Sequence, residues 1–292
     1  MSITSLPILI DTPHSSGHAP FHVLAEMLGE GVHSPEIRQE RLNHLFKQGD
    51  PHTDEMFFLP NAHVVNAVVS RFVVDLNRLR DAGGLNGVIK ITDFDAKSLY
   101  CDGFEFTKEL LDERLARYYD PYHNTLDRIL EKEKIAYFIS GHAMSANGPL
   151  IGPDIGTQRP AICIITNGDL QGNQLSAKEH NSIPAEIAHN LVDILNKHFK
   201  DIFVDSDVPD RVSINDPFNN AGIAKRLSDP RYKNMVPGFG LELNQNLYLE
   251  QHPSKVIPIA GRIKEINKRL QAFMLEILPM FEALQKQRVV SQ

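Results

Sequence analysis

Residues 6–17 read LPILIDTPHSSG: a short apolar run, then Asp11, Thr12 and Pro13, then His14 among Ser15, Ser16 and Gly17. An unbroken apolar run of this length, stopped by turn formers, predicts a strand buried on both faces that runs into a polar loop. The same grammar recurs at residues 135–139 (IAYFI), which terminate in Ser140-Gly141-His142, with residues 161–165 (AICII) as the expected neighbouring strand. Residues 238–248 (GFGLELNQNLY) read as a strand and turn. The Val-rich stretch 63–76 (HVVNAVVSRFVVDL) predicts one strand, or two broken near Ser70-Arg71, and residues 87–92 (GVIKIT) predict another.

Between these runs the apolar period lengthens to three and four. Helices are expected near residues 35–46, over 107–119 and 122–133 with Pro121 interrupting or kinking what would otherwise be one helix, from Pro184 to about residue 199, and over 262–285. Strands alternating with helices imply an α/β fold, with a mixed, mostly parallel central sheet covered by helices on both faces. No repeat, low-complexity tract or linker divides the 292 residues, so residues 1–292 are expected to form a single domain. The Gly/Pro-rich residues 147–160 read as a long loop beside a site.

Charge and composition exclude several classes of function. A net charge of −7 argues against a phosphate-backbone partner, which is held by clustered Lys and Arg. Cys101 and Cys163 are too few and too far apart for a disulfide framework or a thiolate zinc knuckle. No stretch reaches the length of a membrane span, and the first apolar run has neither the basic leader nor the length of a signal segment, so a cytoplasmic protein is the default expectation.

In open α/β sheets, ligands sit beyond the carboxyl ends of the strands. His14 and His142 both follow buried apolar runs and both stand beside small residues. Either alone would be an ordinary loop residue, but as a pair in the same topological place they form a candidate metal site. A catalytic zinc site usually has three N or O protein ligands and keeps a fourth position open. The cluster Asp50-Pro51-His52-Thr53-Asp54-Glu55 offers three carboxylates, although Asp50 before Pro51 also suits a helix cap. Glu186-x-x-His189 has di-iron spacing without the second copy such sites need. His-Glu-x-x-His, Gly-x-Ser-x-Gly and Walker A motifs do not occur. His123, His180, His189 and His198 read as surface or capping residues.

Residues 12–17 (TPHSSG), 50–57 (DPHTDEMF), 70–78 (SRFVVDLNR), Gly141-His142 and residues 240–248 (GLELNQNLY) resemble, in order, the motifs of N-formylglutamate amidohydrolases, with the Ser-Arg-x-x-x-Asp-Leu-Asn-Arg block the most specific. The resemblance spans most of the chain. It implies a phosphorylase/hydrolase-like fold related to zinc peptidases and one divalent metal, expected to be zinc. It also implies hydrolysis of the N-formyl amide of a small acidic amino acid, a reaction of histidine degradation, by a metal-activated water. Carried over residue by residue, it puts His14 and His142 on the metal, with the third ligand from the acidic cluster: Asp50 is favoured, with Asp54 and Glu55 as alternatives. Glu242 becomes the general base, for which the local alternative is a strand carboxylate paired with a lysine. Arg71 and Arg78 become the grips for substrate carboxylates, with Asn77 assisting, although an internal Asp75–Arg78 pair is the plainer expectation for one of them.

Two departures from the family pattern, Asp216-Pro217-Phe218-Asn219-Asn220-Ala221-Gly222 and Ala143-Met144-Ser145, leave room for a different acyl group or amino acid. The alternatives are a deacylase of another N-acyl amino acid or small peptide, and a catalytically silent member that binds an acidic ligand.

Overall fold

The computed structural model describes residues 5–206 and 208–290. Six strands, β1 (Ile8–Thr12), β2 (His63–Asn66), β3 (Tyr137–Met144), β4 (Ile162–Ile165), β5 (Val212–Ile214) and β6 (Gly238–Asn244), form one sheet in the order β2-β1-β3-β6-β4-β5. β2, β1, β3 and β6 are mutually parallel, β4 is antiparallel to β6, and β5 is parallel to β4. The sheet is therefore mixed and mostly parallel. A short pair, β7 (Leu249–Glu250) and β8 (Ile257–Pro258), stands apart from it.

The helices are α1 (Phe21–Leu28), α2 (Pro35–Lys47), α3 (Thr53–Met56), α4 (Lys108–Arg114), α5 (Asp120–Lys132), α6 (Ala185–Val204), α7 (Gly222–Leu227) and α8 (Arg262–Val290). Because successive strand residues face opposite ways, Ile8, Ile10, Tyr137, Ile139, Phe239 and Leu241 join one core with α6 and α8. Leu9, Phe138, Cys163 and Ile165 join the other with α1, α5 and α7. In α6 the buried Ala188, Leu191, Leu195, Phe199 and Ile202 recur at helical spacing. Each such Leu or Phe contributes roughly 1.5–3 kcal/mol of burial. No helix among the described residues is long and apolar enough to cross a membrane.

Several local expectations change. The Val-rich stretch is a strand only over His63–Asn66; residues 67–76 form turns, in which the Ser70 amide donates to the His18 carbonyl and the Asp75 amide to the Val88 carbonyl. Val69, Phe72, Val73, Val74 and Leu76 are buried all the same. β-branched residues fit any half-buried surface, and here loop packing supplies it, as it does for residues 87–92, which form no strand. Residues 161–165 lie beside β6, not beside the strand at 135–139. Pro121 does not break the helical run: a π-helical turn, Leu115–Tyr119, joins α4 to α5 and absorbs the lost hydrogen bond. His123 is buried, its Nε2 3.0 Å from the Leu76 carbonyl oxygen, so it is no surface residue.

Candidate active site

β3 runs through residues 140–142, so His142 projects from within the strand and not from the loop after it. Along β3, Ser140 and His142 point to the same face, and the register places Asp11 of β1 opposite Ser140 and Glu242 of β6 opposite His142. All four therefore crowd one side of the sheet. Gly141 points to the other side, where a Cβ would stand 2.6 Å from the Phe57 ring, so only glycine allows this approach.

His14 enters from the loop after β1 and Asp50 from the turn after α2. Their segments are tied by the Asp50 amide, which donates to the His14 carbonyl at 3.1 Å. Asp50 does not cap the following helix with its side chain. Its carbonyl accepts from the Thr53 amide and from Thr53 Oγ1, and His52 turns the chain through a left-handed conformation (φ 63°). The Tyr248 hydroxyl donates to the Pro51 carbonyl at 2.9 Å and pins the turn. The carboxylate is thus free to face inward: Oδ2 lies 3.2 Å from His14 Nδ1 and 3.0 Å from His142 Nδ1.

His14, Asp50 and His142 offer three ligand atoms within 4.8 Å of one another, all from buried residues, and could hold a metal ion. Ligands about 2.0–2.1 Å from a tetrahedral ion stand roughly 3.3 Å apart, close to the separations observed. Asp54 and Glu55 are not in this group; Glu55 is exposed and pairs with His52 at 2.7 Å.

Behind the trio stands a second rank that sequence reading did not assemble. Asp75 Oδ1 is 2.8 Å from His14 Nε2, while its Oδ2 faces Arg71 at 3.0 Å and Lys90 at 3.1 Å. Arg71 also approaches Asp50 Oδ1 at 3.5 Å and lies 4.9 Å from the Phe94 ring centre. Burial opposes a charged Asp75, but Arg71 and Lys90 outweigh it and hold the carboxyl well below the usual range. Burial lowers Lys90 to about 8 and, with Arg71, lowers His14. At His142 burial is overcome by the hydrogen bond to Asp50 and by Glu242, and the pKa rises. The one hint of Lys90 in the sequence was a lysine inside the apolar residues 87–92.

The internal partner of Asp75 is Arg71, not Arg78. Arg78 donates instead to the backbone carbonyls of Asn86 (3.0 Å) and Asn77 (3.1 Å), and it lines a cavity shared with His14, Asp50, Arg71 and Glu242. Asn77 Oδ1 accepts from the Ile223 amide at 2.9 Å, which turns Nδ2 toward His142 Nε2 at 3.2 Å. Gly222 makes this contact possible, since a Cβ there would meet the Asn77 carbonyl at 2.7 Å. Burial raises Glu242 to about 7 against the pull of His142, and no lysine pairs with it among the described residues.

The loop at residues 147–160 borders the cavity with Asn147, Pro149, Ile151 and Pro153. It ends in Arg159, a buried residue that sequence reading missed, clamped to Asp154 at 2.7 and 2.8 Å and to Ser145 Oγ at 3.0 Å.

A model of the N-formylglutamate amidohydrolase family matches residues 6–249. The chain belongs to that family. It is similar to the N-formylglutamate deformylase of Pseudomonas putida, with 28% identity over 176 residues, which is 54% of this chain and 61% of that relative's length. Among solved structures, the N-formylglutamate amidohydrolase from Ralstonia eutropha JMP134 is similar with a TM-score of 0.65 and 18% identity, over 97% of this chain and 96% of that one. The gene product Atu2144 from Agrobacterium tumefaciens is similar with a TM-score of 0.59 and 16% identity, over 94% and 92%. At these identities the structural likeness speaks for the fold. In this member of the family, the cavity walls formed by Ala143, Met144 and Phe218 include residues of both departures from the family pattern.

Proposed function

We propose that the chain is a metal-dependent amidohydrolase that cleaves the N-formyl or another short N-acyl amide of an acidic amino acid such as N-formylglutamate. The observation that carries this reading is a buried His14–Asp50–His142 group whose members His14 and Asp50 share one cavity with Glu242 and Arg78. Two imidazole nitrogens and one carboxylate oxygen suit zinc.

A divalent ion held there supplies Lewis acidity toward an amide carbonyl and toward water. Glu242 takes the proton from the attacking water and returns it to the leaving nitrogen. Burial raises the Glu242 carboxyl above the ordinary range, which suits a group that must both accept and return a proton. Arg78, fixed by two backbone carbonyls with no carboxylate partner among the described residues, grips a substrate carboxylate with its remaining donors. Arg71 is engaged by Asp75 and Asp50. Its share in substrate binding is to present positive charge to the cavity while holding the ligand Asp50 in place. Asn77 orients Arg78 through its backbone carbonyl.

A second reading, hydrolysis of a larger acyl group, is favoured by the apolar Ala143, Met144, Ile165 and Phe218 on the cavity wall. The test is incubation of zinc-loaded protein with N-formyl-, N-acetyl- and N-propionyl-glutamate and with N-formyl derivatives of neutral amino acids. Release of formate and free glutamate is expected. Preference for acetyl or propionyl would favour the second reading, and metal binding without hydrolysis of any of them would overturn the catalytic one.

A further inference from the structure

The two candidate histidine ligands are supported unequally. His14 Nε2 lies 2.8 Å from Asp75, closer than Nδ1 lies to Asp50 at 3.2 Å, which favours hydrogen on Nε2 and the lone pair on Nδ1, the form a ligand needs. His142 Nε2 faces two groups that can both donate: Asn77 Nδ2 at 3.2 Å and Ser140 Oγ at 3.1 Å. The Asn77 amide cannot turn its oxygen to the ring, because Oδ1 is engaged by the Ile223 amide. Asn77 therefore favours hydrogen on Nδ1 of His142, where Asp50 Oδ2 accepts it at 3.0 Å. That form has no lone pair on Nδ1, the nitrogen that faces Asp50 in the candidate metal group.

Only the Ser140 hydroxyl can accept from Nε2–H, and to do so it must send its own hydrogen elsewhere. Asp11 stands directly across on β1, with its side chain on the same face. Its Oδ2 accepts from the Tyr122 hydroxyl at 2.9 Å, while its buried Oδ1 makes no hydrogen bond of good geometry among the described residues, although the Ser140 hydroxyl is near enough to favour its charged form. A buried carboxylate oxygen without a well-formed hydrogen bond is uncommon and calls for an explanation.

We propose that Asp11 and Ser140 form a hydroxyl-rotor relay that sets the ring form of His142. Without metal, Ser140 donates to Nε2; with metal, it accepts from Nε2–H and donates to Asp11 Oδ1. Ser140 and Asp11 are thus positioning residues for metal uptake, opposed by Asn77. The inference rests on the reading of His14, Asp50 and His142 as the ligands.

The test is competition of zinc between a colorimetric chelator and the full-length protein, with melting of the metal-free form as a fold control. Ser140→Ala should weaken zinc by about 10–100-fold, as is typical when the partner of a ligating histidine is removed. Ser140→Thr, which keeps the hydroxyl, should restore most of it, and Asp11→Asn should weaken zinc in the same direction. Ring ¹⁵N spectra of the zinc-loaded protein should show His142 with hydrogen on Nε2. Unchanged zinc affinity in both Ser140→Ala and Asp11→Asn, alongside loss of zinc in His14→Ala, would overturn the relay and leave the ligands standing. Wild-type zinc affinity in both His14→Ala and His142→Ala would overturn the ligand assignment, and the relay with it.

Discussion

Asp75 Oδ1 lies 2.8 Å from His14 Nε2, and the same carboxylate holds Arg71 and Lys90 with its other oxygen. One buried side chain thus orients a candidate metal ligand and balances two cations. Asp75→Asn should weaken zinc by about 10–100-fold, because the ligand loses its outer partner. It should also destabilise the fold by roughly 3–5 kcal/mol, because two buried cations lose a counter-charge. Chelator competition and denaturant unfolding check the two effects separately.

Replacing both His14 and His142 by alanine should abolish metal retention as well as turnover. Metal analysis after dialysis decides it: stoichiometric metal in the double variant would remove the centre from these residues.

The two arginines should behave differently. Arg78→Lys is expected to raise KM for acidic substrates strongly, since an ammonium cannot reproduce a two-pronged grip, with little change in melting temperature. Arg71→Lys is expected to lower thermal stability and metal affinity as well as raising KM, because Arg71 is tied to Asp75 and Asp50. Steady-state kinetics beside melting curves separate them, and an unchanged KM in Arg78→Lys would discard the grip.

Glu242→Gln keeps the size and removes the proton acceptor. Turnover should fall by about 10²–10⁴-fold with zinc retained. Loss of zinc would make Glu242 a ligand, and near wild-type turnover would rule out its role as base.

His123 gives a test that does not involve the site. Burial and Arg226 push it down to about 4, so the folded protein resists a proton that the unfolded chain accepts near 6.5. Its neutral form is accommodated above about 6.5, and stability is lost as pH falls from there toward 4, by up to roughly 3 kcal/mol. Asp11, raised to about 6, works in the opposite sense, so the comparison must be between proteins at equal pH. The drop in melting temperature from pH 7 to pH 5 should be smaller in His123→Gln than in the wild type; an equal drop would refute the argument.

The sequence by itself determined the layers and the neighbourhood of the site. LPILI and IAYFI, short apolar runs bounded by turn formers, read as buried strands, and the helical period after Pro184 was legible to about residue 199, although the helix continues to Val204. The candidate group His14, Asp50 and His142 was legible because both histidines follow apolar runs and the family motifs include all three residues. Tertiary structure decided what local pattern cannot carry. Whether the valines of residues 67–76 pair in a sheet depends on a partner strand, and none is offered there. Which arginine meets Asp75 depends on the turn at Ser70, since Arg71 and Arg78 stand at comparable distances along the chain. Lys90 meets Asp75, and Asp11 meets Tyr122, only because the fold brings distant segments together. Hydrogen bonds and ion pairs act over about three ångströms, and only the folded chain brings these groups that close.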